Sequence, residues 1–269
     1  MPCRSTTFVR EMSKYVLGHH LKGEGTRLAM MSELLDPMHR RHIEALDVVK
    51  PGARTLEVGC GNGSISAWLA ERVSPNGRAV AFDLVLSLIE VRAPNLELLQ
   101  GDILAGPVES CSFDLVTARA VLHHVADPEA AIKNLVASLR RGGALLLMEP
   151  DFLPVSIAEP PEIRRFWNAW LAWSRERGID YHVGRTLASR LAALGLTQMS
   201  GTAETAIYNG GSRWAAYWIQ TITELRDDLI SSGKFDEVLV DTFLSYCVDS
   251  NWWTQTIAFT AVYGRAPRA

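Results

Sequence analysis

Between residues 54 and 151 the hydrophobic residues alternate between two spacings along the chain. Short apolar runs typical of buried strands occur at TLEVGC (55–60), AVAFDL (79–84), LELLQGD (96–102), FDLVTAR (113–119) and ALLLMEPD (144–151). Helical patterns lie between them, at ISAWLAERV (65–73), in a short stretch after the second strand, and at PEAAIKNLVASLR (128–140) after a capping Asp127. Strands that alternate with helices predict a parallel sheet covered on both faces.

The flanking segments add helices at one end and strands at the other. Residues 1 to 50 have a helical pattern, and Asp36-Pro37 is expected to end one helix and begin another. Residues 197–208 and 254–264 read as two closing strands. Together with the five central strands, they predict a sheet of seven strands.

The tryptophans are concentrated after Asp151, where seven of the eight occur. They fall on stripes of predicted helices, such as Trp167 and Trp170 on one and Trp214 and Trp218 on another. Such stripes are what a helix needs to pack on a sheet, so most of these side chains are expected in the core. A minority are expected to reach a ligand.

Composition excludes several classes of function. The chain has 269 residues, 48% of them hydrophobic, and a net charge of -3 without a long basic run, which argues against disorder and against a nucleic-acid surface. The four cysteines are scattered, as expected for free thiols in a reducing compartment. The chain start lacks the apolar core of a signal peptide, and no run approaches the ~20 apolar residues of a membrane span. A cytoplasmic location and no membrane partner are therefore expected.

The first predicted strand leads into three alternating glycines, Gly59, Gly61 and Gly63. In a doubly wound sheet, a ligand binds beyond the carboxyl ends of the strands, and glycine lets it approach the backbone of the first turn. A tight turn without a ligand is the alternative, but one glycine would be enough for that. The spacing is GxGxG, whereas a dinucleotide fold wants its third glycine at the position of Ser64.

Acidic residues occur at successive strand ends. Glu57 lies within the first strand, Asp83 ends the second and Asp102 ends the third. A carboxylate at Asp83 can accept from both ribose hydroxyls of a nucleoside, and one at Asp102 can accept from an adenine amino group. A dehydrogenase would use the first but has no regular need for the second.

These motifs, in this order, resemble the class I S-adenosylmethionine-dependent methyltransferases over residues 45–151. LEVGCGNGS, VAFDL, LLQGDIL, FDLVTARAVLHHVADP and LRRGGALLLMEPD are similar to the five motifs of that family. The small-molecule branch, with the ubiquinone and menaquinone methyltransferases and natural-product tailoring enzymes, is the most similar. The segment between Asp83 and Asp102 is shorter than is usual in the family, with a curtailed helix.

The resemblance implies an α/β fold, Rossmann-like and doubly wound, with a mostly parallel seven-stranded sheet. Residues 1–50 would form an N-terminal helical lid, since YVLGHHLKGEGTRL resembles a lid helix of actinobacterial members. Residues 51–269 would form the methyltransferase domain, with helical cap insertions near 155–195 and 212–248. The implied cofactor is S-adenosyl-L-methionine, bound by Tyr15, Glu57, Gly59, Cys60, Gly61, Asn62, Gly63, Asp83, Leu84, Asp102, Ile103 and Arg119.

Several of these roles have a structural alternative. Arg119 could meet the carboxylate of the cofactor or form an ion pair at the surface. Tyr15 could cover the methionine part or pack between helices. His124 matches a histidine of this branch and could act as a general base or anchor its loop. His123 is expected to pack, and Glu149 is a weaker candidate for contact with an acceptor.

The expected function is methyl transfer to O, N or C of a small, largely apolar acceptor, in secondary metabolism. Methyl transfer from a sulfonium needs alignment more than a metal, and the sequence has no metal-ligand spacing, so no metal is expected. A methyltransferase fold recruited to cyclisation or rearrangement, an NAD-dependent oxidoreductase and a non-catalytic binding protein are the alternatives. The acceptor and the oligomeric state, including a homo-oligomer, are left open.

Overall fold

The computed structural model describes residues 22–268 of the chain. The helices are α1 Glu24–Ala45, α2 Ser64–Val73, α3 Pro128–Ser138, α4 Leu153–Ser156, α5 Pro161–Glu176, α6 Leu187–Ala193, α7 Arg213–Ser231 and α8 Glu237–Val248. The strands are β1 Arg54–Val58, β2 Arg78–Asp83, β3 Leu96–Gln100, β4 Phe113–Arg119, β5 Leu139–Asp151, β6 Thr197–Asn209 and β7 Trp253–Arg265.

The seven strands form one sheet in the order β3-β2-β1-β4-β5-β7-β6. The first five are parallel, and β7 pairs antiparallel with both β5 and β6. The predicted mostly parallel seven-stranded sheet is therefore confirmed. The strand order reverses at β1, which has β2 on one side and β4 on the other. At such a reversal, a doubly wound sheet opens a crevice at the carboxyl ends of its strands.

Hydrophobic side chains pack on both faces of the sheet. One face carries a core of α1, α2, α5, α7 and α8, in which Trp167, Trp170, Trp173 and Trp218 are buried. The other carries α3 and α6. Of the seven tryptophans after Asp151, five are buried, which confirms that most of them belong to the core.

Local signals explain several helix boundaries. The Asp127 side chain accepts a hydrogen bond from the Ala130 N–H at 3.0 Å, and Pro128 occupies the first helical position of α3. Asp236 caps α8 in the same way through the Leu239 N–H at 2.7 Å.

Two predictions about helices were wrong. Asp36-Pro37 does not break the first helix. Pro37 lies inside α1, which is 22 residues long. Proline removes one helical hydrogen bond, and packing on both sides holds the helix together, with Leu35, His39 and Ile43 buried. The short helix expected after β2 is also missing, because residues 84–95 form turns in which the Arg92 guanidinium donates to the carbonyls of Ile89 and Val91.

The predicted lid and cap insertions coincide with helical regions. Helix α1 lies within residues 1–50, α5 and α6 within 155–195, and α7 and α8 within 212–248. Helix α1 packs against α7 and α2. The division into a lid, a domain and cap insertions stays a prediction.

Candidate functional site

A cavity that is open to solvent lies at the carboxyl edge of the sheet, under α1. Ten of the residues predicted for the site line it: Gly59, Cys60, Gly61, Asn62, Asp83, Leu84, Asp102, Ile103, Arg119 and His124. Glu57 and Gly63 are not in its lining. Tyr15 lies outside the described residues.

The glycine loop between β1 and α2 forms one wall of this cavity. Gly61 has φ 56°, a left-handed conformation, and its N–H donates to the Asp83 carboxylate at 2.9 Å. A Cβ at Gly61 would have only the Leu28 methyl groups near it, at 3.7 and 3.8 Å, so it would project into the cavity. A Cβ at Gly59 would instead collide with the Val121 side chain. The loop is therefore shaped both by its own turn and by the neighbouring strand end.

Asp83 is fixed by backbone donors at the end of β2. One carboxylate oxygen accepts from Gly61 and the other from the Val85 N–H at 3.3 Å. Asp83 is nearly buried but still lines the cavity, so a ligand can use its remaining lone pairs. Asp102 is similar at the end of β3, where it accepts from the Leu104 N–H at 2.8 Å and begins a short 3-10 turn.

Arg119 ends β4 and forms an ion pair with Asp36 of α1 at 2.8 Å. Both side chains are about nine-tenths buried, so this is not the surface pair considered from the sequence. Asp36 also contacts Arg40 at 3.1 Å and the Ser64 hydroxyl at 3.2 Å. The contact ties α1 to the glycine loop and to β4, and it leaves the Arg119 side chain in the cavity wall.

Glu57 lies behind the glycine loop. It is buried in β1 and accepts a short hydrogen bond from the Ser66 hydroxyl of α2. Burial raises its pKa to about 7, because the charged carboxylate loses its water. The residue therefore joins the first strand to the helix that follows the loop.

Glu149 organises the turn that carries His124. Its fully buried carboxylate accepts from the backbone N–H groups of Val121, Leu122 and His123 at 2.8–3.3 Å. It also contacts the His123 Nδ1 at 2.7 Å. Three backbone donors and one side chain thus converge on a single carboxylate. Glu149 is not in the cavity lining, and His123 is packed against Tyr181 as expected.

His124 projects from this turn into the cavity lining. Burial, followed by the nearby His123 and Arg27, lowers its pKa well below the ordinary imidazole value. The ring is therefore neutral at physiological pH. A neutral imidazole can orient a hydroxyl or an amine through a hydrogen bond, while taking up a full proton there is unfavourable.

The first turns of α1 contribute residues that the sequence did not single out. Glu24 and Arg27 form a buried ion pair at 2.7 Å, and Glu24 lines the cavity beside Leu28 and Met31. The Arg27 guanidinium also lies 3.5 Å from the Tyr217 hydroxyl of α7. An acidic and a basic residue three positions apart are common on exposed helices, so only their burial marks them. None of the described tryptophans lines this cavity.

Two features are absent from residues 22–268. No group of three or more His, Cys, Asp or Glu side chains in this range is arranged to hold a metal ion. No helix in the same range is both long and apolar enough to cross a membrane.

The sequence matches known proteins over its central part. The profile of a family described as "Methyltransferase domain" matches residues 30–200. The ubiquinone biosynthesis O-methyltransferase of Xanthomonas campestris pv. campestris is 36% identical over 135 residues, which cover 45% of this chain and 55% of that protein. The chain thus spans about half the length of such curated relatives.

Solved structures extend the likeness of fold to most of the chain. The phosphoethanolamine N-methyltransferase 2 of Haemonchus contortus, in complex with phosphomonomethylethanolamine and S-adenosylhomocysteine, superposes with a TM-score of 0.53 at 16% identity, covering 90% of this chain and 52% of that one. The [4+2]-cyclase SpnF superposes with a TM-score of 0.50 at 17% identity, covering 85% and 81%. At such identities these two structures support the fold alone.

Proposed function

Because the chain belongs to the methyltransferase domain family, we propose that it transfers a methyl group from S-adenosylmethionine to O, N or C of a small, largely apolar acceptor. The observation that carries the proposal is the convergence of the predicted strand-end residues on one cavity. S-adenosylmethionine supplies an activated methyl group on a sulfonium, so the protein has to align the acceptor and exclude water.

The residues present fit this cofactor. Gly61 leaves open space where any side chain would intrude. Asp83 and Asp102 offer carboxylate oxygens at neighbouring strand ends, suited to the ribose hydroxyls and the adenine amino group. Arg119, although paired with Asp36, lies in the wall where the carboxylate of the methionine part would find a cation. Tyr15, Glu57 and Gly63 remain predicted members of the cofactor set.

The acceptor half of the cavity combines apolar walls with few polar groups. Leu28, Met31, Val121 and Val125 supply the walls. His124, neutral by burial, accepts a hydrogen bond from the acceptor and so orients its nucleophilic atom. This arrangement suits an acceptor that needs little help in losing its proton, such as a phenol, an enol or an amine.

Two alternatives make different predictions. A cyclase of this fold would bind the same cofactor without consuming it, and the fold alone does not decide between these chemistries. A nicotinamide-dependent oxidoreductase conflicts with the GxGxG spacing of the loop.

A cytoplasmic location, a role in secondary metabolism, the absence of a nucleic-acid partner and a homo-oligomer stay predictions from the sequence.

The test is calorimetry with S-adenosylmethionine and NAD, followed by mass spectrometry of a panel of apolar phenols, enols and amines with methyl-labelled cofactor. We expect binding of S-adenosylmethionine without competition by NAD, and a labelled methyl group in a product. Tighter binding of NAD would contradict the cofactor assignment. Cofactor binding with a converted but unlabelled product would favour the cyclase.

A further inference from the structure

A second cavity lies at the opposite edge of the sheet. Its walls come from the segment between α1 and β1, the first residues of β4 and β5, and the last residues of β7. It is a depression open to solvent and shares no lining residue with the first cavity. The two cavities lie at opposite ends of β1, a strand of five residues. A strand of this length spans about 16 Å.

The lining of this second cavity is strongly basic. Its cations are Lys50, Arg140, Arg141, Arg265 and Arg268, and its carboxylates are Asp47 and Asp114. Five positive and two negative charges give +3, in a chain whose net charge is -3. The rest of the chain therefore carries -6, from -3 minus +3. The lining of the depression is therefore positive, whereas the rest of the sequence has a net negative charge.

Both carboxylates are already occupied. Asp47 pairs with Lys50 at 2.9 Å, and Asp114 pairs with Arg140 and accepts from the Arg54 N–H at 2.9 Å. These contacts neutralise two of the five cations. The carboxylates therefore do little to offset the three cations that remain.

Three guanidinium groups keep an uncompensated charge. Arg265 is held by backbone carbonyls, those of Leu46 at 2.5 Å and Gly142 at 3.4 Å, which fix its position without neutralising it. Over residues 22–268, no carboxylate lies within 4.0 Å of the guanidinium of Arg141 or Arg268. We call the depression around these three arginines the arginine cavity.

We propose that the arginine cavity binds a small anion that carries two or more phosphate groups. A guanidinium presents paired N–H donors that match phosphate oxygens, and it gives up water more readily than an ammonium does. Three of them around one depression can each engage a different phosphate group. An extended polyanion such as a nucleic acid would need a basic stripe, and the chain has a net charge of -3 without a long basic run.

The test is calorimetric titration of the full chain with sodium triphosphate in buffer of low ionic strength. The variant Arg141→Glu/Arg268→Glu should weaken binding at least about tenfold, since each charge-assisted contact contributes on that order. The matched control is Lys133→Glu/Arg175→Glu, which changes the net charge equally at exposed positions outside both cavities. Both variants should bind S-adenosylmethionine like the parent, which checks that they are folded independently of any anion.

Three outcomes would overturn the proposal. Equal weakening in the two double variants would show that only net charge matters. If triphosphate does not bind the parent chain at about 1 mM, the arginine cavity has no useful affinity for phosphate groups. Binding to an oligonucleotide or to phosphoinositide vesicles, lost in Arg141→Glu/Arg268→Glu but without binding of triphosphate, would identify a macromolecular partner instead.

Discussion

The two halves of the cavity at the carboxyl edge are built in different ways. In the proposed cofactor half, Gly61, Asp83 and Asp102 each lie at the carboxyl end of a strand or within three residues of it, so the sheet itself places them. In the acceptor half, α1 and the turn with His124 are placed by distant partners, as in the contact between Arg27 and Tyr217 across 190 positions. The proposed cofactor half is therefore set by the sheet, and the proposed acceptor half by tertiary contacts of this chain. Substitutions in the two halves should separate cofactor binding from turnover.

The largest effect is expected at Gly61. Gly61→Val should abolish measurable binding of S-adenosylmethionine. The valine side chain would project into the cavity, because no neighbouring protein atom clashes with it there. Gly195→Val is the matched control, since Gly195 also has a left-handed φ, 82°, but lies outside the cavity with open space around it. Both variants should lose about 1–3 kcal/mol of unfolding free energy from backbone strain. Calorimetry and urea unfolding measure the two quantities.

Normal cofactor binding by Gly61→Val, with the same loss of stability as Gly195→Val, would show that the loop does not border the cofactor. The comparison between the halves would then fail at its first step.

The next largest effect is expected at Glu149, the positioning residue of the acceptor half. Glu149→Gln replaces a carboxylate that accepts four hydrogen bonds by an amide. The NH2 group of the amide can donate hydrogen bonds but cannot accept them. The turn should shift, and turnover should fall by about a hundredfold, the scale of a misplaced active-site group. Affinity for S-adenosylmethionine should change less than about twofold. Glu162→Gln, at an exposed position of α5, is the control.

A double-mutant cycle with His124→Ala shows whether Glu149 acts through His124. If it does, the two substitutions should not add, and His124→Ala should cost little in the Glu149→Gln background. The rate should also show no loss through protonation near the ordinary imidazole pKa, since burial lowers the pKa of His124 well below it. Full additivity would instead give Glu149 a purely structural role.

The cofactor half should respond at Asp83 with a smaller change that appears in affinity. Asp83→Ala removes a charged acceptor for the ribose hydroxyls, worth about 1.5–3 kcal/mol or tenfold to a hundredfold in the dissociation constant. Turnover at saturating cofactor should stay within about threefold of the parent. A fall in turnover with unchanged affinity would place Asp83 in the acceptor half and reverse the comparison.

The sequence located the cavity residues at the strand ends better than those of α1, for a physical reason. A change of hydrophobic period marks where a strand ends, so Gly61, Asp83 and Asp102 could be located from local pattern alone. Asp36 could not, because its local signal was that of a helix cap, whereas its real partner is Arg119, 83 positions away. Glu24 and Arg27 gave no signal either, because what distinguishes them is burial against α7.

The same contrast holds for secondary structure. The strands are fixed by their own apolar runs, and the residues of β4 agree with the prediction at both ends. Pro37 reads locally as a helix break, but the packing of Leu35 and Ile43 outweighs one missing hydrogen bond. Residues 84–95 read as a short helix, but their apolar residues are used to cover the glycine loop, where Ile89 and Val91 approach Gly63.

The last effect is expected at Glu57, and it appears in stability rather than in binding or turnover. Burial raises the pKa of Glu57 from 4.5 to about 7, whereas the pKa of His124 lies well below its ordinary value. Because the folded chain holds a proton on Glu57 that the unfolded chain has lost, this residue lowers stability as the pH rises from 4.5 to about 7. A shift of this size corresponds to about 3 kcal/mol.

Glu57→Gln keeps an oxygen that can accept from the Ser66 hydroxyl and removes the titration. The unfolding free energy of the parent minus that of Glu57→Gln should therefore fall by about 2.5 kcal/mol between about pH 5 and about pH 8 in urea titrations. Taking the difference cancels the buried histidines His39 and His124, whose lowered pKa values make stability fall as the pH drops below their ordinary range. A difference that stays flat across this range would mean that Glu57 ionises as easily in the folded chain as in the unfolded one, and the cofactor half would then have no group that titrates near neutral pH behind its glycine loop.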